Sequence, residues 1–247
     1  MSAATVVATA NVLRSLRTDQ ARACLHAVLD GAPDLVGLQE WGVSRLRLLR
    51  RTGAVRLLPG PGPRRSDGVY HWALPLLGDC AVGARADRYD VLGCGVHVLS
   101  RPGRADKPDR WLGLEPPRLA TVGTYRDRHS GRVVSLVCYH LVPGVQARGR
   151  YRSDRPRLVA RHRAEVRRLQ QVVDEELDRG RDVYAVGDSN LDGLRLAGLT
   201  SAWEGREDLP GTFGAHRKID DVHGRGAAAS VTLLPTPSDH RAVLTVW

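Results

Sequence analysis

Three short fragments of this chain carry groups able to handle a phosphate ester and a cation. Gln39-Glu40 follows the apolar run 35–38, and Asp188-Ser189-Asn190 follows the run 183–186 and Gly187. Asp239-His240 stands just before the apolar run 242–246. Each run is short, rich in Val and Leu and bounded by turn residues, so it reads as a strand. Strand ends are where a sheet gathers chemistry from distant parts of a chain. Asn11 at the end of 6–10, His140 at the end of 133–139 and Asp220 after Ile219 fit the same pattern.

Glu40 ends a buried strand, where a carboxylate is costly unless something satisfies it. A divalent cation would do so, and Mg²⁺ takes one or two carboxylates with water and phosphate oxygens. A salt bridge or a helix cap would serve equally. Gly187 permits a sharp turn, from which Asp188 and Asn190 project together, although Asp-x-Asn also makes ordinary turns. His240 has the residue type of a neutral-pH proton carrier. Asp220 or Asp239 could bond its ring and fix the tautomer, leaving the other to face a metal. His140 reads either as a donor to phosphate or as a satisfied core histidine. Asn11 reads as a partner of Glu40, as a group orienting water, or as a turn cap.

The positioning elements follow from periodicity. Residues 6–10 and 35–38 are strands, separated by a helix that Thr18 caps and that runs to about Asp30, with Gly31 as its stop. Residues 43–51 form a short basic helix and 59–68 a loop. Residues 79–100 hold β-rich runs, and 101–117 form a polar, Pro-rich loop. Strands at 119–125 and 133–139 flank a hairpin turn at 127–131. Residues 158–178 form the clearest helix, with Val166, Leu169, Val173 and Leu177 on one face and Gly180 as its stop. The strand 183–186 follows, and 219–222, 231–234 and 242–246 end the chain. Strands with a few helices predict a layered α/β domain in which sheet packs on sheet. No repeat or linker interrupts residues 1–247, so one domain is expected.

Apolar residues make up 42% of the 247, which supports a substantial core. The formal net charge is +10, and only Lys107 and Lys218 are lysines, so the positive charge is nearly all arginine. Such a surplus attracts polyanions without naming one. Cys24, Cys80, Cys94 and Cys138 lie in apolar runs with no C-x-x-C pair and read as reduced core residues. No stretch approaches the roughly 18 apolar residues of a membrane span, and the first residues lack the basic start of a signal peptide. A soluble, cytoplasmic monomer is the expectation.

Taken in order, Ala10-Asn11-Val12, Gln39-Glu40, Tyr139-His140-Leu141, Gly187-Asp188-Ser189-Asn190, Lys218-Ile219-Asp220-Asp221 and Ser238-Asp239-His240 resemble the endonuclease/exonuclease/phosphatase family, the deoxyribonuclease I-like proteins. The likeness spans nearly the whole chain. It implies a four-layered α/β sandwich, two mainly antiparallel sheets face to face with helices on the outer faces. It also implies phosphoester hydrolysis with Mg²⁺, or Mn²⁺ in its place. Under it, Glu40 is the principal metal ligand, with Asn11 beside it and Asp239 as a second acidic group near the metal. Asp188 and Asn190 orient the attacking water and hold the phosphate. His240 is the catalytic histidine bonded to Asp220, and His140 also faces the phosphate. The resemblance leaves open whether Asp188 or His240 is the base. Val12-Leu13-Arg14 lacks an acidic residue that some nucleases carry there, and His140 replaces the Tyr of the apurinic endonucleases, which removes support for a DNA-repair assignment.

The substrate is less constrained. Arg148, Arg150 and Arg152 surround Tyr151 just after His140. Arginine forks bind phosphate and an aromatic can stack on a base, which favours a nucleic-acid strand and DNA in particular. The same residues also fit a solvated loop of an Arg-rich protein. Inositol phosphates, phospholipid headgroups and nucleotides are the alternative substrates, and a catalytically inactive nucleic-acid-binding protein is a third possibility.

Overall fold

The computed structural model describes residues 4–60, 68–106, 113–147 and 149–247. The first half holds β1 (Val6–Asn11), α1 (Thr18–Leu29), β2 (Leu35–Gln39), a 3₁₀ turn (Val43–Arg45), α2 (Leu46–Arg50), β3 (Gly53–Leu58), β4 (Tyr70–Pro75), β5 (Ala81–Arg85), β6 (Tyr89–Ser100), β7 (Gly103–Arg104) and β8 (Leu114–Glu115). The second half holds β9 (Arg118–Asp127), β10 (Val133–His140), β11 (Gln146–Ala147), β12 (Arg150–Tyr151), α3 (Pro156–Asp178), β13 (Asp182–Asp188), β14 (Thr200–Ser201), β15 (Asp220–Gly224), β16 (Ser230–Leu234) and β17 (Ala242–Val246).

Two large sheets result. One has the order β16-β17-β1-β2-β5-β4-β3 and the other β14-β15-β13-β10-β9-β6. Only β1–β2, β3–β4 and β10–β13 pair in parallel within them. The period-2 alternation of each central strand sends its side chains to two different apolar layers. Val7, Leu35, Val82, Leu136, Cys138, Val186 and Val243 meet between the sheets. Ala8, Ala10, Val36 and Leu38 face outward onto Ala21, Cys24, Leu25 and Val28 of α1 and Leu48 and Leu49 of α2. Val137, Tyr139, Val183 and Ala185 face outward onto Leu169, Val172 and Val173 of α3. The layers are helix, sheet, sheet, helix, as the resemblance implied. No described helix is long and apolar enough to cross a membrane.

Small residues set how closely the sheets approach. A Cβ on Gly37 of β2 would lie 2.3 Å from Val186 Cγ2 and 3.1 Å from Cys138 Sγ. Gly187, just before the predicted catalytic Asp188, is more constrained, because a Cβ there would sit 2.0 Å from the Tyr139 carbonyl oxygen. Gly187→Ala is therefore expected to destabilise the protein by about 3 kcal/mol or more through backbone displacement. Equilibrium urea unfolding measures this directly.

Some boundaries differ from expectation. The cap of α1 is Arg17, with Thr18 the first helical residue. Its backbone N–H donates to Gln20 Oε1 at 3.1 Å, so Thr18 is not needed as the cap. Strands β3 and β4 were not foreseen, since Arg56, His71 and Pro75 break the alternation that signals a strand. The 101–117 loop contains the paired β7 and β8, and residues 107–112 lie outside the described residues, as do 61–67 of the 59–68 loop. Cys24, Cys80 and Cys138 are buried free thiols and Cys94 is a half-buried one.

Candidate active site

The parallel pairings deliver the polar strand ends to one rim. Asn11 pairs with Gln39 at the end of β1–β2, and His140 with Asp188 at the end of β10–β13. Asp220 starts the antiparallel β15 opposite Asp188. Asn11 joins the two rims directly, its Nδ2 donating to Asp188 Oδ2 at 2.9 Å across 177 positions of sequence. Asn11 Nδ2 also lies 3.4 Å from Glu40 Oε1. Glu40 Oε2 accepts the Arg14 backbone N–H at 2.7 Å.

Asp188 is the hub. Its Oδ1 accepts the Asn190 N–H at 2.7 Å, and its Oδ2 lies 3.7 Å from His140 Nε2. Asn190 Nδ2 in turn donates to the Leu141 carbonyl at 3.0 Å. Burial, and then the neighbouring Asp220 carboxylate, raise the proton affinity of Asp188 above the ordinary aspartate range, against the pull of His140, His240 and the Asn190 N–H.

His240 Nδ1 bonds Asp220 Oδ2 at 2.7 Å. A carboxylate can only accept, so Nδ1 carries the proton. Burial works against the imidazolium, but Asp220, with Asp188 and Asp239 beyond it, outweighs burial and raises His240 to about 9. At neutral pH the ring is therefore charged, and Nε2 is a second donor. The Phe213 ring packs 4.8 Å from it. Trp203 is buried, and its indole N–H donates to the Asp220 carbonyl at 2.9 Å, a core role.

Two site residues hold backbone conformations unusual for side-chain-bearing residues. Glu40 has φ 57° and Asn190 has φ 52°. Asn tolerates this region; for Glu it stores about 1–3 kcal/mol of strain.

Seven expected residues thus converge: Asn11, Glu40, His140, Asp188, Asn190, Asp220 and His240. Asp239 lies at the edge, 48% exposed, with Oδ1 4.0 Å from His240 Nε2. Arg150 is exposed on β12. Arg152 is bonded to Asp154, and Arg148 lies outside the described residues.

Sequence reasoning missed Asp79. Its Oδ2 lies 3.1 Å from His140 Nδ1, so His140 has a carboxylate on each side. Burial alone would raise Asp79, yet the bond to His140, with Arg118 and Arg14 nearby, holds it well below the ordinary range. Asp79 follows Leu77-Gly78 in a bend before β5, and nothing in that pattern points to a histidine 61 positions away. Arg45 was also missed. Its buried guanidinium donates to the carbonyls of Val12, Leu13, Arg14 and Leu16, shaping the loop that offers the Arg14 N–H to Glu40.

A cleft of about 400 Å³ opens beside this rim, lined by Arg14, Glu40, Leu77, Asp79, Arg118 and His140, with Pro116, Pro117 and Pro143. Among the described residues, Asp188, Asp220 and His240 bring one ligand atom each within 4.8 Å of one another, a group that could hold a metal ion. Two of those three already bond each other, and the imidazole is protonated at neutral pH. The set that fits a hard cation lies on the other side of Asp188. There the Glu40 carboxylate stands beside Asn11, whose Oδ1 is buried with no hydrogen-bond partner.

No protein-family model matches the sequence, and no match is found among curated proteins. Solved structures do match. TDP2 of D. rerio, complexed with a single-strand DNA product, is 16% identical at a TM-score of 0.67, with 99% of each chain covered. An endonuclease/exonuclease/phosphatase family protein from Bacteroides thetaiotaomicron is 18% identical at 0.64, covering 98% of this chain and 94% of that one. The human Nocturnin catalytic domain, with bound sulfate, is 17% identical at 0.63, covering 98% and 92%. Helix–sheet–sheet–helix layering and these matches together give this chain the fold of the endonuclease/exonuclease/phosphatase proteins, the family its strand-end residues resemble.

Proposed function

We propose that this protein is a divalent-metal-dependent phosphodiesterase that cleaves nucleic acid, DNA first among its substrates, by in-line attack of water. The observation that carries the reading is Asp188, a buried carboxylate of raised proton affinity bonded to Asn11 and flanked by His140, on the same rim as the charged His240. Glu40 and Asn11 Oδ1 would hold Mg²⁺, or Mn²⁺, with Asp239 as an outer acidic group. Bound there, the cation would neutralise charge on the phosphate and on the leaving oxygen.

The chain's own groups divide the remaining work. Asp188 takes the proton of the attacking water, because a protonated His240 cannot act as base at neutral pH. Asn190 fixes that water from the same tip. His240 Nε2–H donates to a phosphate oxygen, where a preorganised donor of this kind is worth about 3 kcal/mol in the transition state, and His140 lines the same side of the site with its Nδ1–H held by Asp79. Asp220 accepts from Nδ1 of the His240 imidazolium, and Asp79 accepts from Nδ1 of His140, fixing the orientation of each ring. Arg150, with Arg148 and Arg152, would grip phosphates away from the scissile one. The single-strand DNA product held by the D. rerio TDP2 structure supports a nucleic-acid substrate. A lipid-headgroup diester is the second reading, favoured by Leu77, 81% exposed, and by the prolines that line the same cleft.

A Mg²⁺/Mn²⁺ assay over DNA, RNA, nucleotides, inositol phosphates and phospholipids tests the proposal. EDTA-sensitive cleavage of DNA is expected, abolished in Asp188→Ala and His240→Ala. Turnover that survives in both variants refutes the site. Headgroup or phosphate release with DNA left intact refutes the substrate.

A further inference from the structure

We propose that His162 is a positioning residue for the catalytic tip, and that it couples the arginine-bearing hairpin β11–β12 to Asp188 and Asn190; the inference rests on the phosphodiesterase reading above. His162 lies on α3 and is 0% exposed. Its Nε2 is 2.7 Å from the carbonyl oxygen of Ser189, the residue between Asp188 and Asn190. A carbonyl only accepts, so Nε2 must carry a hydrogen. Its Nδ1 is 3.1 Å from the Tyr151 hydroxyl at the end of β12, and in the neutral ring this nitrogen accepts from that hydroxyl. Burial depresses the histidine, keeping the ring in this one-donor, one-acceptor form.

The geometry asks more of this position than packing does. His162 emerges near Leu158 and Val159, where an aliphatic side chain would fill the space. A leucine would leave the Ser189 carbonyl without this donor beside a residue held at φ 52°. Ser189 itself is tied on its other side to the residue before β15, its N–H and Oγ both donating to the Ile219 carbonyl at 2.8 Å. The hairpin makes a second link to the same loop, since Gln146 Oε1 accepts the Asp192 N–H at 3.0 Å. Asp192 Oδ1 then accepts the Lys218 N–H at 2.8 Å, two residues before Asp220. Arg150 is the exposed neighbour of Tyr151 in β12. A phosphate gripped by Arg150 therefore loads the peptide that carries the Tyr151–His162–Ser189 chain, and substrate contact outside the reacting centre steadies the groups inside it.

Three variants of the full chain separate this role from packing. His162→Leu keeps bulk and loses both bonds, His162→Gln keeps a donor for Ser189, and Tyr151→Phe cuts only the hairpin link. Amide hydrogen exchange at Ser189 and Asn190, read by NMR, requires no activity. The kinetic readouts are kcat and KM on bis(p-nitrophenyl) phosphate and on a single-stranded oligodeoxynucleotide. In His162→Leu, exchange at Asn190 is expected to quicken and kcat to fall about tenfold to a hundredfold on both substrates, with KM for the small diester unchanged. His162→Gln is expected to recover most of that loss. Tyr151→Phe is expected to spare the small diester and lower kcat/KM on the oligonucleotide about threefold to tenfold. Unchanged exchange and kcat in His162→Leu would overturn the proposal, as would equal losses in the Leu and Gln variants. Should His162→Leu not fold, the substrate-selective effect of Tyr151→Phe decides it. A wild type that cleaves neither diester defeats the proposed function, while the exchange data still judge His162.

Discussion

Asp188→Asn will lose at least about a thousandfold in kcat, a loss of the size expected when a preorganised catalytic group is removed, and will melt at a higher temperature than the wild type. The two effects have one origin. Asp188 is held by the Asn11 and Asn190 donors in a buried place that already contains the Asp220 carboxylate, and both burial and that neighbour raise its proton affinity. A carboxylate whose folded pKa is raised costs stability at any pH above that value. The cost disappears as pH falls below its unfolded pKa. Replacing the charge by an amide removes the cost at neutral pH. Both hydrogen bonds made by the Asp188 side chain can be remade, at the cost of the 3.4 Å Asn11–Glu40 contact, because Asn11 Oδ1 is buried without a partner. Turning the Asn11 amide over lets that oxygen accept from the new Asn side chain, while Asn190 N–H keeps its acceptor. A neutral amide cannot take a proton from water, so the chemistry stops. Calorimetry and initial rates on the same sample check both halves. Retained activity would remove Asp188 from the role of base, and a lower melting temperature would show that its charge is not strained.

His240→Gln is expected to lower kcat by about a hundredfold to a thousandfold and to erase the alkaline limb of the pH–rate profile. His240 is raised to about 9, chiefly against burial and through Asp220. The wild type should therefore lose kcat/KM as pH rises through about 9, where the second donor is lost. Its acid limb should reflect Asp188 and lie above the ordinary aspartate range. The same pair contributes to stability with a definite sign. A histidine raised from 6.5 to about 9 stabilises the fold by about 3 kcal/mol. That stability is fully present below pH 6.5 and is lost as pH climbs through about 9. The Gln variant should show no such alkaline loss from this site. An alkaline limb that persists in His240→Gln would assign it to another group.

Much of this site could be read in advance because each group sits where a buried strand meets a turn. Glu40, His140 and Asp188 each end an apolar run, and parallel pairing brings such ends to one rim without further information. Asn11 was visible as a polar residue closing the first strand, but its bond to Asp188 depends on how two sheets stack, which no local pattern encodes. Asp79 was illegible for a related reason. It lies in a bend before β5 rather than at the end of a strand, and the partner that gives it meaning comes from the other sheet. Arg45 looked like one more arginine of a basic helix, and only the carbonyls gathered around it reveal a structural task. Asp220 and Asp239 were interchangeable on paper as partners of His240. Geometry separates them, with Asp220 at hydrogen-bond distance from the ring and Asp239 facing solvent. The edge strand β3 escaped notice because a half-exposed strand tolerates Arg and loses the alternation that marks central ones, and β4 beside it because His71 and Pro75 interrupt its apolar run.

The pairing of β1 with β17 couples the sheet to the site. β1 lies in the interior of its sheet, flanked by β2 and β17. Thr5 and Trp247 exchange backbone hydrogen bonds at 2.9 Å each way. Without β17, β1 presents an open edge on that side. His240 lies two residues before β17, so its bond to Asp220 forms only with β17 in place. The sheet and the constellation around Asp188 are therefore completed by one and the same docking step.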